Sequence, residues 1–224
     1  MREKAIVSWS GGKDCALALH EARHEFEIVA LVTTVTAGYD RISMHGVRVS
    51  LLDKQAAALG YPLDKVVVSQ ACSNDEYEQQ MRAALNRHRR TGVTAVICGD
   101  LFLEDVRRYR EERLFGDGVR GVFPLWKQPT DALARRFIGL GFRAILCCTD
   151  TTVLSHVFAG RSFDSALLAE LPPGVDPCGE NGEFHTFVFD GPGFATPVAC
   201  RAGERVLREN RFGYCDLLDG IEVP

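Results

Sequence analysis

Short apolar runs alternate with stretches of helical spacing through the first two-thirds of the chain. The first run, Ala5-Ile6-Val7, is β-type and halts at Ser10-Gly11-Gly12. Ala and Leu at close spacing then predict a helix from near Asp14. Residues 27–35, rich in Val, Ile, Leu and Thr, read as a buried parallel strand, and 47–59 as a helix stopped by Gly60 ahead of Pro62. A strand at 63–69 follows, then a long amphipathic helix at 74–91, capped by Asn74-Asp75-Glu76, and a strand at 93–98 that ends in Gly99-Asp100. Residues 104–115 read as a helix, 121–126 as a short strand running into a turn, 130–140 as a helix opened by a Thr cap, and 142–149 as another apolar strand. The alternation predicts an α/β fold, a mainly parallel sheet with helices on both faces. Composition changes after about Pro124. Loops such as 171–177 become common, and short strands at 185–189, 196–201 and 204–208, turning around Gly203, are expected to pair antiparallel. The expected division is a larger domain at 1–124 and a smaller C-terminal α+β portion at 125–224.

Chemistry enters at the first bend. Gly11 and Gly12 allow backbone angles that a side chain forbids and leave amide N–H groups bare to an oxyanion. The helix that follows aims its unpaired N–H groups and positive dipole end into the same bend. Ser10 and Lys13 add a hydroxyl donor and a mobile positive charge. The spacing is neither the nucleoside-triphosphate P-loop nor the three-glycine dinucleotide fingerprint. It resembles the Ser-Gly-Gly-x-Asp-Ser loop of the PP-loop ATP pyrophosphatases, which hold the β and γ phosphates while the α phosphorus is attacked. Cys15 stands where that loop has serine, and a thiol is the weaker donor.

Two further strand ends fall at the carboxyl edge, where such a sheet places its ligand. One carries Thr33-Thr34-Val35-Thr36. The other carries Gly99, which would admit a ligand closely, and Asp100, which suits Mg²⁺ through water. His45, in the bend 37–46, either touches nucleotide or substrate or is a surface histidine with no task.

The formal net charge of −4 gives no general pull toward DNA, RNA or anionic membrane. Arg87-His88-Arg89-Arg90 lies in the last turn of a helix, where basic residues complement the dipole. No apolar run approaches a membrane span and no room is left for a signal peptide, so the expected location is cytoplasmic. None of the eight cysteines forms a Cys-x-x-Cys pair, which speaks against a disulfide framework, a zinc site or an iron–sulfur cluster.

The second informative stretch is Asp176-Pro177-Cys178-Gly179-Glu180-Asn181-Gly182-Glu183-Phe184-His185-Thr186. Strand alternation puts Glu183, His185 and Phe187 on one face, so that Glu183 and His185 project together as a carboxylate–imidazole pair. A purely structural turn is the other reading.

Taken in order, the Ser10–Cys15 loop, Gly99-Asp100 with Arg110 and Glu112 after it, Pro124-Leu125-Trp126 and Glu180-Asn181-Gly182-Glu183-Phe184-His185-Thr186 resemble the diphthine–ammonia ligase family of PP-loop ATPases over nearly the whole chain. Many members have Gly where Asn181 stands. The resemblance implies an AMP-forming ligase: ATP, with Mg²⁺, activates a carboxylate as an acyl-adenylate, pyrophosphate leaves, and ammonia displaces AMP to give the amide. In archaea and eukaryotes the acceptor is diphthine on translation elongation factor 2; in bacteria it would be another carboxylate. The implied nucleotide-binding set is Ser8, Ser10, Gly11, Gly12, Lys13, Asp14, Cys15, Thr33, Gly99 and Asp100, with Asp100 toward the metal. His45, Glu180, Asn181, Glu183 and Thr186 would meet the acceptor. Lys13, Asp14, Glu183 and His185 would carry the chemistry, with Glu183 the first candidate base or metal neighbour. The rival readings are a nucleotide-binding sensor without turnover and a tRNA-thiolating enzyme, for which Cys15 and Cys178 would have to come together.

Overall fold

The computed structural model describes residues 1–39, 41, 42, 46–114 and 118–220, the side chains of 113 and 114 excepted. The first half follows the alternation read from the sequence: β1 (Glu3–Ser8), α1 (Lys13–Ala22), β2 (Phe26–Thr36), α2 (Val49–Leu59), β3 (Leu63–Val68), α3 (Asn74–Arg89), β4 (Val93–Ile97), α4 (Glu104–Tyr109) and β5 (Arg120–Val122). A π-helical turn, Arg110–Leu114, prolongs α4. The five strands are parallel neighbours in the order β3-β2-β1-β4-β5, so the winding reverses between β1 and β4. The α/β class with a mainly parallel sheet therefore stands for this half.

α3 covers one face of this sheet, with Ala84 and Leu85 packed on Ile6, Val32 and Val96. The other face carries α1, whose Cys15, Ala16, Leu17, Ala18, Leu19 and Ala22 are all buried. Only Asp14, His20 and Glu21 of this helix are half-buried, so one sheet does not suffice to cover it. The second cover is a separate four-stranded antiparallel sheet, β7-β6-β9-β8, built from β6 (Arg143–Asp150), β7 (Phe184–Asp190), β8 (Cys200–Arg208) and β9 (Phe212–Asp219). Phe184, Phe187 and Val188 of β7 belong to the same core as Leu17, Leu51 and Ile97. Two more helices, α5 (Thr130–Gly139) and α6 (Ser165–Glu170), complete the C-terminal portion.

Several local expectations are corrected. β6, read as one more strand of the parallel alternation, pairs antiparallel with β7 and β9. The strands expected at 196–201 and 204–208 are one strand, because Gly203 makes an irregularity in the ladder with β9 instead of a turn. A Cβ on Gly203 would lie 2.7 Å from the Asp216 carbonyl oxygen, so the site needs glycine for close pairing. The true turn is Glu209-Asn210-Arg211, with Glu209 and Asn210 left-handed at φ 54° and 50°. It lacks the glycine that usually announces a hairpin, and β9 escaped the sequence reading with it. Thr130 does not cap α5: its Oγ1 donates to Asp176 Oδ2 at 2.6 Å.

Candidate active site

A cavity of about 350 Å³ opens at the carboxyl edge of the parallel sheet, where the winding reverses. Its floor is the bend between β1 and α1. Gly11, at φ +78°, lies behind the wall, and its carbonyl oxygen accepts from Val188 N–H at 2.9 Å and from Gln55 Nε2 at 3.0 Å. Gly12, Lys13, Asp14 and Cys15 line the cavity. Two amides of the bend already have hydroxyl partners: Gly12 N–H donates to Ser10 Oγ at 3.3 Å, and Lys13 N–H to Thr186 Oγ1 at 3.0 Å. A phosphate oxygen is a stronger acceptor than either hydroxyl.

Lys13 is not the mobile charge expected. Only 4% of its side chain is exposed, and its Nζ donates to Asp14 Oδ2 at 2.8 Å and to the Cys178 carbonyl oxygen. Burial alone would favour loss of its proton, but the charge and hydrogen bond of Asp14, with Cys178 and Glu180 nearby, together outweigh it and raise the pKa. Burial likewise pushes the Asp14 carboxyl up, against the pull of Lys13, with Asp176 and Asp100 adding like charge. The Cys15 thiol donates to the Gly12 carbonyl oxygen at 3.1 Å, and burial raises its pKa, so it rests as the thiol.

The end of β4 meets this bend at close range. A Cβ on Gly99 would lie 2.7 Å from the backbone of Asp14 and Cys15. The glycine is thus required by the helix start, where the sequence suggested a ligand. Asp100 turns into the cavity; its Oδ1 accepts from Arg110 Nε at 3.1 Å, and its buried Oδ2 has no protein partner. Arg110 also reaches Ser8 Oγ at 3.4 Å. Thr33, on β2, is buried with its Oγ1 unpartnered at the opposite wall.

The second stretch forms the roof, and its two glutamates part company. Glu180 faces the cavity, with Oε1 accepting from Leu101 N–H at 2.7 Å. Burial first, then the neighbouring Asp14 charge, pushes its pKa up to about 7. Glu183 is off the cavity wall, contrary to the expectation that it projects beside His185. It precedes β7, and its Oε1 turns back to Asp176 N–H and Asn181 Nδ2, each at 3.0 Å. Asn181 is likewise spent inside the turn. His185 does line the cavity, but burial, with Lys13 nearby, depresses its pKa to about 4, so the imidazole is neutral at pH 7. Thr186 reaches the bend as described. His45 lies outside the described residues.

Of the residues read from sequence, the cavity gathers Ser8, Ser10, Gly12, Lys13, Asp14, Cys15, Thr33, Gly99, Asp100, Glu180, His185 and Thr186. It leaves out Gly11, Asn181 and Glu183. The sequence reading named Arg110 only within the family pattern, without giving it a place in the site, and missed Gln55 as a support. Arg110 was one of several arginines spaced along a charged helix. Gln55 was one of three polar residues in a row, Asp53-Lys54-Gln55, and the available signal was its place four residues after Leu51, on the apolar face of the helix. Among the described residues no group of three His, Cys, Asp or Glu is arranged to hold a metal. Asp14 and the orphaned Asp100 Oδ2 suit a hard cation that keeps water and phosphate as its other ligands, as Mg²⁺ does.

A parallel sheet with a glycine bend at its switch point, faced by Glu180 from the turn ahead of β7, is the arrangement of a PP-loop ATPase. The chain matches the family models for the Diphthamide synthase N-terminal domain at residues 3–118 and the Diphthamide synthase C-terminal domain at 129–223. It belongs to the diphthine–ammonia ligase family of PP-loop ATPases. Relatives include the diphthine–ammonia ligases of Mus musculus and Homo sapiens, each 25% identical over 92% of this chain and 85% of the relative. Among solved structures, a 4-thiouridine synthetase–RNA complex with bound ATP aligns over 62% of this chain and 41% of that one at 19% identity and a TM-score of 0.44. A predicted subunit of tRNA methyltransferase from Methanocaldococcus jannaschii aligns over 63% and 77% at 14% identity and a TM-score of 0.38. No helix among the described residues is long and apolar enough to cross a membrane.

Proposed function

We propose that the chain uses ATP to adenylate a carboxylate, diphthine or a related acceptor, and passes the acyl group to ammonia. In the first step an acceptor oxygen bonds to the α phosphorus, and the bond to the bridging oxygen breaks so that pyrophosphate leaves with the electron pair. The bend from Ser10 to Cys15 and the amino end of α1 receive that leaving group. Gly12 and Lys13 N–H groups exchange their hydroxyl partners for phosphate oxygens. Asp14 and Asp100 would hold Mg²⁺, which supplies charge neutralisation on the triphosphate. In the second step the ammonia nitrogen bonds to the acyl carbon, and AMP leaves with the electrons of the broken C–O bond.

Glu180 takes the proton lost by nitrogen, because its pKa of about 7 leaves it partly ionised at neutral pH. His185, neutral, orients the acceptor. Residues 1–124 carry the nucleotide in this reading and 125–224 the acceptor.

One observation carries the reading. Lys13 N–H of the bend and Thr186 Oγ1 of the second stretch, 173 positions apart, are hydrogen-bonded at one cavity. The test is to incubate the chain with ATP, Mg²⁺ and ammonium, with and without diphthine-bearing elongation factor 2, and to follow AMP and pyrophosphate. Equal yields that require both ammonia and acceptor are expected. ATP binding without AMP under any acceptor would leave a sensor. The thiolation reading has no support from the cysteines: the Cys178 thiol, pushed up to about 12, donates to Thr130 O, and Cys15 donates to Gly12 O.

A further inference from the structure

We propose that Gln55 is a positioning residue for the phosphate-binding bend: it pins the Gly11 carbonyl against β7, and so turns the Gly12 N–H toward the cavity. The inference rests on the reading of that bend as a pyrophosphate site.

Gln55 sits on α2 among Leu51, Leu52 and Ala56 and is 0% exposed. An amide buried so completely is costly unless every polar atom is paired. Here the pairing is complete. Nε2 donates to the Gly11 carbonyl oxygen at 3.0 Å and to the Val188 carbonyl oxygen, and Oε1 accepts from Trp9 Nε1 at 2.8 Å. Two carbonyl partners on one end and an indole N–H on the other decide which end is nitrogen. The contact also explains the glycine, since a Cβ on Gly11 would lie 3.0 Å from Gln55 Oε1.

The functional consequence follows from the planar trans peptide, in which C=O and the next N–H point in opposite directions. With the Gly11 carbonyl drawn back to Gln55 and Val188, the Gly12 N–H must face forward, where Ser10 Oγ now holds it. Without Gln55 the carbonyl keeps only the Val188 N–H, one bond in place of two, and the peptide turns its carbonyl dipole toward the phosphates at a lower cost. Gln55 also joins the bend to β7, the strand that carries His185 and Thr186. With the bonds from Val188 N–H to Gly11 and from Lys13 N–H to Thr186, it helps fix the separation of the two halves of the site.

The test measures pyrophosphate and AMP binding by titration calorimetry, with Mg²⁺, for the full chain and for Gln55→Met, which keeps the length and loses the polar atoms. Thr149→Val is the control: it removes a different fully buried polar group, a hydroxyl on β6, away from the cavity. Pyrophosphate Kd is expected to rise about 10-fold or more in Gln55→Met, the equivalent of one lost charge-assisted hydrogen bond. AMP Kd should stay within about twofold, and the control should move neither by more. If Gln55→Met does not fold, Gln55→Glu, which keeps the acceptor for Trp9 and loses the donor, replaces it with the same expectation. Unchanged pyrophosphate affinity in a folded variant, or equal loss of both ligands, overturns the inference. So does a wild-type chain that binds no pyrophosphate. A wild-type chain that binds pyrophosphate yet forms no AMP from ATP with ammonia and acceptor removes the ligase reading alone, and the affinity ratio still decides Gln55.

Discussion

The two glycine-bearing stretches that meet at the cavity are built on opposite plans. The bend at Ser10–Cys15 offers backbone, and its side chains are turned to other work: Lys13 is buried against Asp14 and the Cys178 carbonyl, and the Cys15 thiol folds back on Gly12. In the stretch from Asp176 to Thr186 the backbone is consumed internally, with Asp176 Oδ1 accepting from Cys178 N–H at 2.9 Å and Glu180 N–H at 3.2 Å. What that stretch offers is side chains, those of Glu180, His185 and Thr186. The contrast suits their tasks in the proposed reaction. An anion is well held by many weak fixed dipoles, whereas a proton must be taken by one group with a matched pKa.

Substitutions can break this contrast, and the largest effect is expected at Asp14. Asp14→Ala leaves the buried Lys13 ammonium without its counter-charge, costing about 3 kcal/mol or more of stability, and should reduce AMP formation by ~10³-fold. Urea unfolding and an AMP assay read the two losses separately; near-normal turnover would mean that the bend does not hold the nucleotide.

Next comes the pair of glutamates. Glu180→Gln should slow amide formation by about 100-fold. In the native protein, transfer should rise with pH through about 7, because only ionised Glu180 accepts a proton, and the variant should lose that limb. Glu183→Ala should cost about 2 kcal/mol of stability through two lost hydrogen bonds to a carboxylate while ATP affinity holds within about twofold. Equal catalytic loss at both positions would erase the distinction between the cavity-facing and the turn-forming carboxylate.

Gly99→Ala ranks third. Its Cβ meets main chain that cannot step aside, so a loss of about 1–3 kcal/mol should accompany weaker ATP binding, measured on the same sample.

A pH effect on stability comes from His185. Its pKa is about 4 in the fold against 6.5 for the free side chain, so the unfolded chain binds more protons between those values. Stability from this group is therefore full above 6.5 and is lost as the pH falls toward 4. Glu180 acts in the opposite sense: its raised pKa makes the native state the better proton binder between about 4.5 and 7, so this group destabilises as the pH rises through that window. Denaturant titrations of His185→Gln should show a flatter rise between pH 4 and 6.5. An unchanged slope would place the imidazole in solvent.

The smallest change is expected for Cys15→Ser. The hydroxyl keeps the bond to the Gly12 carbonyl and is the better donor, so ATP affinity should shift by less than about threefold.

Much of the scaffold was legible because its signals are local. Apolar runs at strand length, helical spacing and the stops at Gly60 and Gly141 depend on neighbours in sequence. The residue types that make an anion site at a strand-to-helix bend were legible for the same reason. Failures came where local pattern and long-range pairing differ. Alternation from Glu183 predicted a shared face with His185, but the strand begins one residue later, and the carboxylate found closer donors in its own turn. The run at 142–149 was a good strand with nothing in it to name its partner.

By itself, then, the order of residues determined the α/β alternation, the bend at Ser10–Cys15 and the concentration of polar groups from Asp176 to Thr186. Tertiary structure alone decided that α1 is roofed by a second, antiparallel sheet, that Lys13 is fixed under that roof, and that Glu180 and not Glu183 opens to the cavity. The physical reason is that hydrogen-bonding choices and pKa shifts are set by burial and by partners many positions away. The charge state of Glu180 depends on its burial and then on Asp14, and the direction of one loop amide depends on a glutamine from another helix.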